Sequence, residues 1–161
     1  MRAVLDYCDE DHRRELPAGT VIIREGSSTG HLFVLVEGTL EVRKGDTVVA
    51  SVAEPGSIVG EMSALLQQPH TATVRTVSSA TVYEIDDAAA FLRAQPAVAL
   101  FIATLLAQRL NVATSYLADL KRQYAGHGTH LAMVSEVLAG MVNLSPSQVS
   151  PGSDLQSDPR M

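Results

Sequence analysis

Between residues 21 and 85 the apolar positions come in short β-branched runs parted by glycine-bearing turns at intervals of about 8 to 12 residues, the rhythm of an antiparallel sandwich or barrel. The runs predict strands over 21–24, 32–36, 39–44, 48–52, 72–76 and 82–85. In Thr39-Leu40-Glu41-Val42-Arg43 the period of two sends Leu40 and Val42 inward and Glu41 and Arg43 outward. Gly19, Gly26, Gly30, Gly38, Gly45, Gly56 and Gly60 fall between the runs. No parallel strand–helix–strand rhythm appears, and no GxGxxG follows a strand, which disfavours a dinucleotide fold.

After Asp86 and Asp87, both good N-caps, the pattern turns helical over 88–94, and Pro96 opens a second, longer helix. Leu106, Leu110, Ala113, Leu117, Leu120 and Tyr124 then recur at spacings of 4, 3, 4, 3 and 4, the seam of a coiled coil, from which homodimerisation is expected. Gly126 and Gly128 end this helix. A further amphipathic helix is predicted over 131–142, and from Ser145 the Ser, Pro, Gln, Asp and Gly composition predicts a flexible tail. The expected architecture is mainly β with α: an antiparallel β-roll (a jelly-roll-like double-stranded β-helix) with one short helix and a long C-terminal helix. Its expected divisions are a short N-terminal segment 1–15, a domain 16–125 that includes the long helix, a helical extension 126–144 and the tail 145–161.

Length and composition narrow the function. With 161 residues, 46% hydrophobic and 19% charged, the chain suits one ordinary packed domain. A net charge of -6 and a pI near 5.2 oppose direct nucleic-acid binding, which needs clustered Lys and Arg. The lone Cys8 cannot form a disulfide within the chain and fits a reducing compartment. The apolar run 97–107, at 11 residues, is short of a bilayer span, and the N-terminus lacks the pattern of a signal peptide; a cytoplasmic location without membrane contact is expected.

The segment carrying chemistry is Pro55-Gly56-Ser57-Ile58-Val59-Gly60-Glu61-Met62-Ser63-Ala64-Leu65-Leu66-Gln67-Gln68-Pro69-His70-Thr71-Ala72-Thr73-Val74. A glycine, a short helix, a turn and a strand place helix-start N–H groups in a concave face, a setting for an anion. Glu61 at the helix start can accept hydrogen bonds from sugar hydroxyls, while Ser63 and Ala64 aim N–H groups inward. The combination suits a compact phosphorylated sugar.

This segment resembles the phosphate-binding cassette of the cyclic-nucleotide-binding domain family. The flanks agree: Leu16-Pro17-Ala18-Gly19, Arg24-Glu25-Gly26 and Val36-Glu37-Gly38-Thr39-Leu40 stand in the family's order, and the similarity covers about residues 16–124. The resemblance implies cAMP or cGMP as ligand, with Glu61 on the ribose 2′-hydroxyl and N–H groups around Ser63 and Ala64 on the cyclic phosphate. The contact set it implies is Val59, Gly60, Glu61, Met62, Ser63, Ala64, His70, Thr71, Ala72 and Thr114. Where the family carries a phosphate-binding arginine, this chain has His70, which when neutral offers one donor and no charge. Losing that charge-assisted contact costs about 1.5–3 kcal/mol, or roughly 10- to 100-fold in affinity. If His70 faces the phosphate, affinity should rise as pH drops through about 6.5. Thr71 stands where some cGMP-preferring relatives have threonine. Arg109-Leu110-Asn111-Val112 resembles the start of the long helix in catabolite-activator-type regulators, which implies a base contact from Thr114.

Other chemistries fare worse. The histidines stand at 12, 31, 70, 127 and 130, and a cupin metal site needs His-x-His with a carboxylate on adjoining strands. Only His31 lies by a strand, its nearest acid Glu37 reads as part of a turn, and His127 and His130 flank Gly128 without a third ligand; no metal, resident cofactor or catalytic residue is assigned. The 36 residues from Gly126 to Met161 hold Arg160 as their sole Lys or Arg, too little for the winged helix-turn-helix of related regulators. The expectation is a non-catalytic cyclic-nucleotide sensor, and the alternative is an interaction or dimerisation module that has lost its nucleotide.

Overall fold

The computed structural model describes residues 2–123 together with Val137 and Ala139. Along the chain its strands are β1 (Arg13–Leu16), β2 (Val21–Ile23), β3 (Leu32–Glu37), β4 (Leu40–Lys44), β5 (Thr47–Val52), β6 (Ile58–Val59), β7 (Thr73–Thr76) and β8 (Ala80–Ile85). They make two four-stranded antiparallel sheets, in the orders β1-β8-β3-β6 and β2-β7-β4-β5. The helices are α1 (Glu61–Leu66), α2 (Ala88–Ala94) and α3 (Pro96–Gln123). This is the β-roll with a short helix and a long C-terminal helix that the hydrophobic pattern predicts.

The core is drawn from both sheets: Ile23, Phe33, Leu35, Leu40, Val59, Val74, Ala80 and Val82 are buried together. In β3, Phe33 and Leu35 face this cluster, while the alternate residues Leu32 and Val34 are buried on the opposite face, where the 3-10 stretch Arg2–Tyr7 packs against the strand. Burial on both sides removes the need for polar alternation, which is why 32–36 reads as one unbroken apolar run. β4 behaves as its sequence predicts, with Leu40 fully buried and Val42 packed on the core. Glu41, on the other face, takes Arg43 and Arg75, each with a nitrogen 3.0 Å from its Oε1.

Two strands are absent from the sequence expectation. β1 reads Arg-Arg-Glu-Leu and is exposed up to Leu16, because it is an edge strand whose charges discourage pairing with other chains. β6 is two residues long and shows no period at all.

Thr76 ties the turn between β1 and β2 to the second sheet. Thr76 is 1% exposed; its Oγ1 donates to the Pro17 carbonyl at 2.7 Å and accepts the Thr20 N–H at 2.8 Å. The Thr76 carbonyl accepts the Gly19 N–H at 2.8 Å.

Asp87 caps α2, its Oδ1 accepting the Ala90 N–H at 2.9 Å, and Pro96 occupies the first position of α3 as expected. The chain divides into two compact units, 1–104 and 105–161, with the boundary inside α3. In the first unit Val98 and Ile102 of α3 are buried. In the second, Leu106, Leu117 and Leu120 of the expected seam are half-buried, and Leu110 and Ala113 are exposed. α3 runs 28 residues, well past the apolar run 97–107, and among the described residues it is the helix long and apolar enough, by length and composition, to cross a membrane. Core helices pass the same test. Tyr124, the histidines 127 and 130, the expected helix 131–142 apart from the helical Val137 and Ala139, and the expected tail 145–161 lie outside the described residues.

Replacing Thr76 by Val deletes the hydroxyl and leaves the half-buried Thr20 N–H without its partner, while the Pro17 carbonyl keeps the Thr20 hydroxyl, so urea unfolding of Thr76→Val should show about 1–3 kcal/mol less stability. Thr76→Ser, which keeps the oxygen, should recover most of that loss.

Candidate functional site

The cassette begins where β6 pairs with β3, Val59 opposite Phe33. Gly60 follows with φ 93°, and a Cβ built on it would lie 2.7 Å from the His31 carbonyl oxygen. Only glycine fits both constraints, the left-handed backbone and the closeness of β3's entry. The turn at Gly60 starts α1 directly and puts Glu61 at its first position, 5% exposed. A carboxylate there meets the positive end of the helix dipole, and burial obliges it to be partnered. Ser63 is also buried, at 9% exposure, whereas Met62, Leu65 and Leu66 point to solvent. The helix stops in one tight turn: Ser63 donates its hydroxyl to the Gln68 carbonyl, the N–H groups of Gln67 and Gln68 donate to the Ser63 carbonyl, and Gln67 is left-handed at φ 53°.

The far end of the cassette is strapped to the turn after β2. The His70 N–H donates to the Ser27 carbonyl, and its carbonyl accepts the Gly26 N–H, both at 2.8 Å. His70 Nε2 lies 2.9 Å from Thr29 Oγ1. Thr29 Oγ1 also accepts the His31 N–H at 3.3 Å, which leaves its own proton for a neutral His70 nitrogen. His70 is 5% exposed, and its pKa is lowered from the usual 6.5, first by burial and then by the nearby His31. Charging of this imidazole is therefore displaced below the pH at which the sequence places it. Thr71 is exposed, and Ala72 and Ala64 are half-buried. Val59 is buried in the core cluster. Thr114 belongs to the second unit, where its hydroxyl lies within hydrogen-bond reach of the Leu110 and Asn111 carbonyls of its own helix, at 2.9 and 3.0 Å.

The structure also assembles a group that the sequence does not announce. His31, Glu84 and Asp86 present one ligand atom each, all within 4.8 Å of one another. Glu37, the acid that the sequence sets beside His31, instead ends β3 and is exposed. Glu84 and Asp86 arrive through strand register, a relation invisible to spacing along the chain: Phe33 pairs with Glu84 and Leu32 with Ile85, so His31 falls opposite Asp86. Of two clefts of about 360 and 460 Å³, the first is lined by Glu15, Pro17, Glu37 and Thr81, and the second by Tyr7, Cys8, His12, Phe91 and Asp86 itself. In the second, burial pushes the Cys8 thiol up to about 11, which keeps it protonated and weakly reactive.

A match to the model described as the cyclic nucleotide-binding domain spans residues 13–94, from β1 to the end of α2. The chain belongs to the cyclic nucleotide-binding domain family. Among curated relatives, the Pycsar effector protein XpPycTIR of Xanthomonas perforans is 38% identical over 99 residues, 60% of this chain and 32% of that protein. The cGMP-dependent protein kinase 2 of Mus musculus is 31% identical over 83 residues, 52% of this chain and 11% of the kinase. The chain thus spans a third or less of the length of these relatives. Among solved structures it is similar to the catabolite activator protein of Thermus thermophilus, at a TM-score of 0.58 and 26% identity, covering 87% of this chain and 81% of that one.

Two outcomes follow from this family's cassette as built here. Gly60→Ala should cost at least about 1–2 kcal/mol from backbone handedness alone, with the contact against His31 added, read as a lowered urea midpoint. Because the folded His70 pKa is depressed, its contribution to stability is complete above pH 6.5 and is lost as pH falls from 6.5 through the folded value. The wild-type melting temperature should therefore fall more steeply below pH 6.5 than that of His70→Gln, measured by circular dichroism across a pH series.

Proposed function

We propose that this chain is a non-catalytic sensor module that binds a cyclic nucleotide, cAMP or cGMP, in the cassette 59–72. The observation that carries the reading is the left-handed Gly60 leading directly into a buried glutamate at the first position of α1, within the region matched by the family. In this reading Glu61 takes the ribose 2′-hydroxyl, and N–H groups around Ser63 and Ala64 take the phosphate, the Ala64 N–H being shared with the Gly60 carbonyl 3.3 Å away, with Val59, Gly60, Met62 and Ala72 shaping the pocket. A cGMP-dependent kinase among the relatives supports the ligand class.

His70 enters this reading as a neutral hydrogen-bonding group, since burial and His31 disfavour its cation. Phosphate recognition then rests on backbone dipoles, and affinity falls below that of an arginine-bearing relative by about 10- to 100-fold. Thr71 and Thr114 keep the roles that the resemblance implies; engaged with carbonyls of its own helix, Thr114 still has a lone pair to accept from an exocyclic amino group.

We further propose that the domain extends over 16–125 and works in the cytoplasm as a homodimer joined along Leu106, Leu110, Ala113, Leu117, Leu120 and Tyr124. Ligand would act by shifting the population of arrangements of the long helix. A second reading, an interaction module without nucleotide, is favoured by one observation: Thr29 already occupies His70 Nε2.

Thermal unfolding with millimolar cAMP and cGMP separates the two. The sensor should melt at a higher temperature with at least one nucleotide, by the amount that mass action on the folded state gives. Glu61→Ala should abolish that shift, and an unchanged wild-type melting temperature with both nucleotides overturns the sensor reading.

A further inference from the structure

We propose that His31, Glu84 and Asp86 form a binding site for one divalent transition-metal ion of the zinc class, at the end of the roll beside the cassette. Three features converge on it. The first is placement: His31 precedes β3, Glu84 lies near the end of β8 and Asp86 just beyond it, and the antiparallel register sets all three on one face of the same strand pair. That face is the one on which Phe33, Leu35 and Val82 enter the core, so the group sits where the apolar interior of the roll gives way to polar side chains.

The second feature is distance. His31 Nδ1 and Glu84 Oε1 are 3.4 Å apart. A closed charge-assisted hydrogen bond would bring them to about 2.7–2.9 Å. Two ligands bonded at about 2.0–2.2 Å to a tetrahedral ion are separated by roughly 3.4 Å, the edge of the tetrahedron. The third ligand atom, from the exposed Asp86, lies within 4.8 Å of both and has the side-chain freedom to close the remaining gap.

The third feature is support around the ligands. Glu84 Oε2 faces Arg14 Nε at 3.7 Å, so the guanidinium orients the carboxylate by one oxygen and leaves the other turned toward His31. The His31 ring lies tilted at 57° to Phe33 with centroids 6.2 Å apart, and its backbone is held at both ends, the N–H on Thr29 and the carbonyl against Gly60. One imidazole and two carboxylates suit zinc and its neighbours better than magnesium or calcium, which prefer all-oxygen shells. Three protein ligands leave a fourth position open to water or to a ligand atom.

The test uses the full chain stripped of metal and titrated with zinc sulfate alone by isothermal calorimetry. One equivalent should bind, and His31→Ala and Asp86→Asn should each weaken binding by at least about 10-fold. A Cys8→Ser variant and a His127→Ala, His130→Ala double variant should bind as the wild type does. Asp86 is exposed and Asp87, not Asp86, caps α2, so Asp86→Asn keeps the test sound even if His31→Ala fails to fold. The proposal is overturned if the wild type takes up no stoichiometric zinc at millimolar concentration, or if Asp86→Asn binds as tightly as the wild type.

Discussion

The molecule depends on one close approach, that of the Gly60 backbone to the carbonyl of His31. Because no side chain intervenes, β6 can pair with β3 up to Val59 and the next residue can reverse into a left-handed turn. Glu61 is then delivered to the start of α1 with its carboxylate out of solvent. Any Cβ at this point would separate the cassette from the strand that supports it.

His31 is consequently shared by two features. Its carbonyl backs the cassette glycine, its N–H rests on Thr29, which also engages His70, and its ring joins Glu84 and Asp86. Side chains on β8 are thereby linked to both ends of the cassette through a single residue at the entry of β3. The linkage has a physical consequence even without ligand: burial first, and then the nearby His31, lower the His70 pKa.

The replacement of the family arginine by histidine changes how an anion could be held here. A guanidinium brings its charge whatever the surroundings, whereas an imidazole is charged only where its environment permits. Here the environment does not favour it, because His70 is buried, bonded to Thr29 and close to His31. In the proposed reading an anion would therefore rest on helix-start dipoles, which are weaker than a full cation but cost no reorganisation, being fixed by Gly60 and by the Ser63–Gln68 turn.

The sequence by itself determined the elements whose residues answer to a local rule. Leu40 and Val42 alternate with Glu41 and Arg43 because one face of β4 is buried, Asp87 and Pro96 mark helix starts through capping and fixed φ, and the Gly60-Glu61 step marks the cassette. β1 escaped because an edge strand with charged residues needs no hydrophobic period, and β6 because two residues cannot show one. Only the tertiary structure decided that His70 turns to Thr29 and that Glu84 and Asp86 meet His31. Such contacts are set by which strands pair and in what register, and that is fixed by the burial of Phe33, Leu35 and Val82 across the whole roll rather than by any spacing along the chain.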